Sequence, residues 1–283
     1  MKISSTTVSV PSPRKKELSM INVSKDEDGT FEYETFGDDK KQQLYMFPGF
    51  GGTLQKWSRE FIENLSNDFQ VITFNYPGVG ESKTTKEITS FDEYSDYFSK
   101  LFTRLNKGKD FSLFGYSMGI YVVRNIILKH KELSPKNVVF CSGSFGGKFR
   151  IPSSPEVMAQ LKTAGSNNLS TLMSKEKLMS NEDYVNSFVH PTEEQSTKEL
   201  LDFQGKLIYK FFGEHCEDKP ENKIAVDALV VHGSNDMIFS TDNAKILHSF
   251  CTKRSKLHLT NGGHLQTFEY PIEVASEIKA FCL

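Results

Sequence analysis

A chain of 283 residues is long enough to bury one large core, and single α/β domains commonly reach about this length. Its 34 basic and 36 acidic residues leave a net charge of −2, so no sign-dominated surface argues for nucleic acid or an anionic membrane as a partner. The four cysteines, at 141, 216, 251 and 282, have neither the paired spacing of a zinc site nor the density of a disulfide framework, which suits a reducing, cytoplasmic setting.

Residues 1–20 lack the apolar run of about seven that a secretory signal needs, and no window approaches the roughly 18 apolar residues of a membrane span. Ile3 to Val10 and Ser19 to Val23 have strand-like composition and read as a lead-in β element or a partly ordered tail. Phe31–Phe36 and Gln43–Phe47 follow as strands, Leu54–Leu65 as a helix and Gln70–Phe74 as a strand. Phe91–Leu105 is helical, with aromatics at 91, 94, 97, 98 and 102 forming a stripe expected to face the core. Asp110–Phe114 is a short buried strand, Ile120–His130 a largely apolar helix, and Val138–Cys141 a further strand that leads into the glycine-rich loop Ser142–Gly147. From about residue 150 to 224 the alternation stops and only helix-like stretches remain, broken by prolines and glycines. It resumes at Asp227, with strand Ala228–Val231, helix Asn243–Phe250 and strand Lys256–Thr260. Strands and helices that alternate in this way predict a mostly parallel sheet flanked by helices.

Gly115-Tyr116-Ser117-Met118-Gly119 falls where a predicted strand gives way to a predicted helix. So sharp a turn strains the central residue, and only small neighbours two positions away leave room for it. Ser117 is thereby held clear of the sheet at the positive end of a helix, where a nucleophile is useful. A serine hydroxyl needs a base, and of the seven histidines His264 is the best placed, on a loop after Asn261-Gly262-Gly263. His258 reads as a packed strand residue, and His130, His190, His215 and His248 as solvated. His232 ends a buried strand and reads as a structural hydrogen-bonding residue. Asp236 follows the strand Ala228–Val231 and suits the carboxylate that orients the base, although Asp in such a loop can equally serve as a helix cap or turn residue. Asp242, which precedes the predicted helix Asn243–Phe250, fits that second role better. A phosphate loop is excluded at Pro77–Thr84, because Ser82 stands before Lys83 where that pattern needs glycine.

With the order Ser117, Asp236, His264 in place, the chain resembles the α/β-hydrolase superfamily, in particular its lipid- and ester-cleaving members with a helical cap, over roughly residues 30 to 283. Besides the elbow, Phe47-Pro48-Gly49-Phe50-Gly51-Gly52 is similar to the family's His-Gly-Phe-Gly-Gly oxyanion loop. Asn75 to Ser82 is similar to its Asp-x-Pro-Gly-x-Gly-x-Ser turn. His232-Gly233-x-x-Asp236 and Gly263-His264 are similar to its acid and base motifs. Pro48 stands where the family usually has histidine, and Asn75 where it usually has aspartate. The resemblance implies a core domain of residues 1–149 and 225–283 and a helical cap of residues 150–224 that walls the substrate pocket. Its apolar positions include Met158, Leu172, Met173, Leu178 and Val189.

The resemblance also implies an oxyanion hole made by the backbone N–H groups of Phe50 and Met118. Neither depends on the side chain at 48, so the hole should survive that departure. The activity implied is that of a serine hydrolase that cleaves a small to medium acyl compound, best a carboxylic ester, through an acyl-enzyme, with no cofactor and no metal. The same triad serves hydrolysis of C–C bonds, lactones and thioesters. A serine rather than an aspartate at the elbow argues against epoxide opening and halide displacement. From another class, a non-catalytic ligand-binding receptor would keep the pocket. The small-molecule substrate is the one partner implied.

Overall fold

The structure is a computed structural model and describes residues 19–164, 169–189, 197–213 and 222–283. Its strands are β1 (Ser19–Asp26), β2 (Gly29–Phe36), β3 (Gln43–Phe47), β4 (Gln70–Phe74), β5 (Lys83–Thr84), β6 (Phe111–Tyr116), β7 (Asn137–Cys141), β8 (Asp227–Gly233) and β9 (Ser255–Thr260). They form one sheet in the order β1-β2-β4-β3-β6-β7-β8-β9, with the short β5 paired to β2. β1 and β2 run antiparallel to their neighbours, and every pairing from β4 through β9 is parallel. Burial on both faces explains why β3, β7 and β8 are continuous apolar runs rather than alternating ones.

Successive residues of β3 feed two cores, as the period of two requires. Tyr45 and Phe47 join helices α2 (Phe91–Leu105) and α3 (Gly119–Lys129), while Leu44 and Met46 join α1 (Arg59–Ser66) and α10 (Pro271–Cys282). The aromatic stripe of α2 is buried, as expected: Phe91, Tyr94, Tyr97, Phe98 and Phe102 all pack against the sheet. A capping box starts that helix. The Ser90 hydroxyl accepts from the Glu93 N–H at 3.3 Å, and the Glu93 carboxylate accepts from the Thr89 N–H and the Ser90 hydroxyl.

Two predicted helices start elsewhere. Residues 54–58 are not helical: the Leu54 N–H donates to Asn75 Oδ1 at 2.8 Å, and Ser58 caps α1 by accepting from the Phe61 N–H. Helix α8 spans Thr241–Ser249, so Asp242 sits inside its first turn and pairs with Lys245 instead of opening the helix. The strand-like stretch Ile3–Val10 lies outside the described residues, whereas Ser19–Val23 forms most of β1. Between β7 and β8 the described residues hold α4 (Pro155–Ala164), α5 (Leu169–Leu172), α6 (Asn181–Asn186) and α7 (Lys198–Gly213), and no named strand. Among the described residues no helix is long and apolar enough to cross a membrane.

Cys141, Cys251 and Cys282 are free thiols, and burial pushes each up to about 12. Cys216 lies outside the described residues. Thiolate is the reactive form, so native protein treated with iodoacetamide at pH 8 is expected to gain at most one adduct by intact mass, and four once denatured. Three or four adducts on folded protein would contradict this burial.

Candidate active site

All the candidate groups gather at the C-terminal ends of the parallel strands. Ser117 sits between β6 and α3 with φ +52°, a left-handed backbone that costs a non-glycine residue of order 1–3 kcal/mol and persists only where its surroundings enforce it. Two glycines do the enforcing. A Cβ on Gly119 would lie 2.3 Å from the Phe47 carbonyl oxygen, and one on Gly115 would lie 2.8 Å from the Gly119 oxygen, so strand and helix approach too closely for any side chain. The Ser117 N–H donates to the Cys141 carbonyl at 2.9 Å, which pins the turn to the next strand.

The loops after β8 and β9 complete a hydrogen-bonded chain. Ser117 Oγ lies 3.1 Å from His264 Nε2, and His264 Nδ1 lies 2.9 Å from Asp236 Oδ2. The other Asp236 oxygen accepts from the Ile238 and Phe239 N–H groups at 2.8 and 3.0 Å. Burial alone would raise the Asp236 pKa. The attraction and hydrogen bond of His264, with the Phe239 N–H, outweigh it and hold the carboxyl below its ordinary value. An ionised Asp236 fixes the Nδ1–H tautomer of His264 and leaves Nε2 free to accept the Ser117 proton.

His264 is held by its backbone as well. Its N–H donates to the Leu172 carbonyl at 2.6 Å, and its carbonyl accepts from the Tyr116 hydroxyl at 2.9 Å. Burial, with the nearby Cys141, Tyr184, Asp236 and Glu269, pushes the Tyr116 phenol well above its ordinary value, so it remains a donor. His232 is fully buried, and its Nε2 donates to the Phe239 carbonyl at 2.8 Å. Burial lowers its pKa against the opposing pull of Asp236, and a neutral His232 braces the loop that carries Asp236. Of the histidines expected to be solvated, His130 and His248 are less so than their positions implied. His130 bridges Asp96 and Glu132, His258 pairs with Glu273, and His248 is half-buried, while His190 and His215 lie outside the described residues.

Opposite the relay runs the loop after β3. Among the described residues, neither the Phe50 nor the Met118 N–H donates to a protein group, and both belong to the loops that flank Ser117. With proline at 48, other groups fix this loop. The Pro48 carbonyl accepts from the Tyr76 hydroxyl at 2.9 Å, and the Gly52 N–H donates to the Gly49 carbonyl at 3.0 Å. The Gly51 N–H donates to Gln204 Oε1 at 2.8 Å, and Gln204 comes from α7, far along the chain and fully buried. Asn75 acts one step away, where it accepts from the Leu54 N–H and donates to Glu32 at 2.8 Å.

Sequence reasoning missed Tyr76, Gln204 and Tyr116. The burial of Gln204 is visible only in the folded structure, so none of the three carried a signal in the sequence. Leu172, Met173 and Val189 are buried, whereas Met158 and Leu178 are exposed. Among the described residues no group of three or more His, Cys, Asp or Glu side chains is placed to hold a metal ion.

A strained serine at a strand–helix elbow, on the C-terminal edge of a mostly parallel sheet, defines the architecture of one large class of α/β proteins. The chain belongs to the alpha/beta hydrolase fold family, whose model matches residues 43–271. Solved structures agree on the fold. An alpha/beta hydrolase fold protein from Chitinophaga pinensis superposes with a TM-score of 0.77 at 18% identity, over 92% of this chain and 96% of that one. Carboxylesterase CesB from Bacillus subtilis gives 0.67 at 16% identity, over 93% and 91%. The enol-lactonase from Burkholderia xenovorans LB400 gives 0.69 at 16% identity, over 92% and 99%. No curated protein matches the chain in sequence.

Proposed function

We propose that the protein is a serine hydrolase that cleaves a small to medium acyl compound, a carboxylic ester first, by two-step acyl transfer. The observation that carries this reading is the unbroken chain from Asp236 through His264 to Ser117, at 2.9 and 3.1 Å. His264 Nε2 takes the Ser117 proton as Oγ attacks the acyl carbon, and Asp236 stabilises the imidazolium that results. The Phe50 and Met118 N–H groups donate to the developing oxyanion, and one such donor is worth about 10²–10³ in kcat. His264 then protonates the leaving group, and water, deprotonated by the same imidazole, releases the acid and restores Ser117.

Helices α4–α7 act as a cap over this edge. The apolar group Leu169, Leu172, Met173 and Leu265, packed against Tyr116 and Ile238, supports an apolar wall beside His264 that suits an acyl chain. The three free thiols among the described residues fit a reducing, cytoplasmic setting. Structures of the same fold named as a carboxylesterase and an enol-lactonase are in keeping with an ester or lactone substrate.

The test is intact-mass spectrometry after incubation with a serine-directed fluorophosphonate. Wild type should gain one adduct, Ser117→Ala none, and His264→Ala should react at least a hundredfold more slowly, in line with the weight of a general base. p-Nitrophenyl esters of increasing chain length would then size the acyl site. Folded wild type that takes no adduct would overturn the reading in favour of a non-catalytic binding protein.

A further inference from the structure

Every backbone polar group of the Gly263-His264 pair is bound to protein. Helix α9 (Gln266–Glu269), a single turn just beyond the pair, supplies two of the partners: Gln266 Nε2 donates to the Gly263 carbonyl, and the Gly263 N–H donates to the Glu269 carboxylate, 2.9 Å from both oxygens. Tyr116 and Leu172 supply the other two, to the oxygen and nitrogen of His264. Glu269 is 5% exposed, and its Oε2 also accepts from the Ser174 N–H at 2.8 Å, in the segment just after α5 (Leu169–Leu172). A single buried carboxylate therefore joins the loop that carries the base to the insertion that covers it. Contact at this junction is close. A Cβ on Gly263 would lie 2.7 Å from the Ser174 nitrogen and 2.8 Å from the Leu172 oxygen, both backbone atoms that cannot swing away.

From this geometry we infer that Glu269 is a positioning residue for the His264 imidazole. Its hydrogen-bond partners are backbone N–H groups, not Ser117. It fixes the Gly262–Gly263 peptide, one residue before His264, and ties it to the Ser174 N–H, so the ring stays between Asp236 and Ser117. Two backbone donors converge on one carboxylate, a charge-assisted arrangement in a buried setting, where removal of the acceptor leaves both N–H groups without a partner. A further consequence is that Leu172–Ser174 belongs to the catalytic framework: any opening of the insertion must hinge outside it, or the base moves with it.

The inference rests on His264 being the base, so wild-type labelling by the fluorophosphonate is measured first. Failure there overturns the function reading itself. Given a reactive wild type, Glu269→Gln keeps the shape but one of its two arms can no longer accept. Labelling and kcat should fall 10–100-fold with KM within about twofold, and Glu269→Asp should recover part of the loss. The downfield proton resonance of His264 Nδ1–H shared with Asp236 should shift or broaden in Glu269→Gln, which a loss of stability alone would not produce in folded protein. Glu273→Gln, on the neighbouring surface, is the control and should match wild type. Hydrogen exchange on the unmutated protein gives an independent reading, with the Gly263 and Ser174 amides among the slowest to exchange outside the sheet. Wild-type rates and an unmoved resonance in folded Glu269→Gln, or fast exchange at both amides, would refute the assignment.

Discussion

Asp236→Asn is expected to lower kcat by about 10⁴-fold while the protein remains folded, the loss typical of an imidazole forced into the wrong tautomer. The local hydrogen bonds dictate why. One Asp236 oxygen accepts from the Ile238 and Phe239 N–H groups, so an asparagine must keep its carbonyl oxygen there. Its NH₂ then faces His264 Nδ1, which has to become the acceptor, and the ring proton moves to Nε2, facing Ser117 Oγ. A protonated Nε2 cannot take the serine proton.

The same substitution carries a stability signature. Asp236 is held below its ordinary value of 3.8, so it contributes stability that is fully present above that value and is lost as pH falls through the lower folded-state value. Wild type should therefore show a steeper acid limb in urea melts below about pH 4 than Asp236→Asn, and the difference between them should narrow as pH drops. The checks are steady-state kinetics on a p-nitrophenyl ester and urea melts across that range. A kcat within tenfold of wild type would remove Asp236 from the relay.

Gly119→Ala is expected to be strongly destabilising. Its Cβ would meet the Phe47 oxygen at 2.3 Å, the Phe47 carbonyl carbon at 2.8 Å and the Phe47 Cβ at 2.9 Å. Phe47 ends the central strand β3, locked between β4 and β6, so the clash falls on backbone with nowhere to go. Overpacking of this kind costs about 1–3 kcal/mol or more, and the gain from alanine's lower chain entropy offsets only about 0.5–1 kcal/mol of it. A fall in Tm of about 3–8 °C is expected. Labelling of Ser117 should slow as well, because Phe47 leads directly into the loop that carries Phe50. Gly205→Ala is the contrast. It lies within α7, a Cβ there would meet nothing within 4 Å, and stability should rise by about 0.5–1 kcal/mol. Equal melting temperatures for the two variants would show that the close approach is not what demands glycine at 119.

The central strands were legible because physics leaves them few alternatives. Gln43–Phe47 and Gln70–Phe74 are short apolar runs bounded by turns, and a parallel strand covered on both faces has that signature. The start of α1 was not legible, because Leu54 to Trp57 continue its apolar spacing although the Leu54 N–H is taken by Asn75, just past the end of β4. At the site, Ser117, Asp236 and His264 stood out through local punctuation by glycine and by strand ends, and the fold brings the three into contact. The groups that hold them did not stand out. Gln204 reaches Gly51 across most of the chain, and Leu172 acts through its carbonyl, which every residue possesses. No residue-type pattern encodes such partners; only the folded arrangement does.

Strands β6 to β9 lie side by side in the order of synthesis, the serine at the end of the first and the base beyond the last. As a chain leaves the ribosome, the elbow and its neighbour β7 can assemble early, while the inserted helices, the acid and finally the histidine emerge afterwards. If His264 is the base, a nascent or truncated chain that stops before it would carry Ser117 with nothing to activate it. On the proposed roles, vectorial growth would delay reactivity until the inserted helices have been made, so incomplete products of translation would be inert.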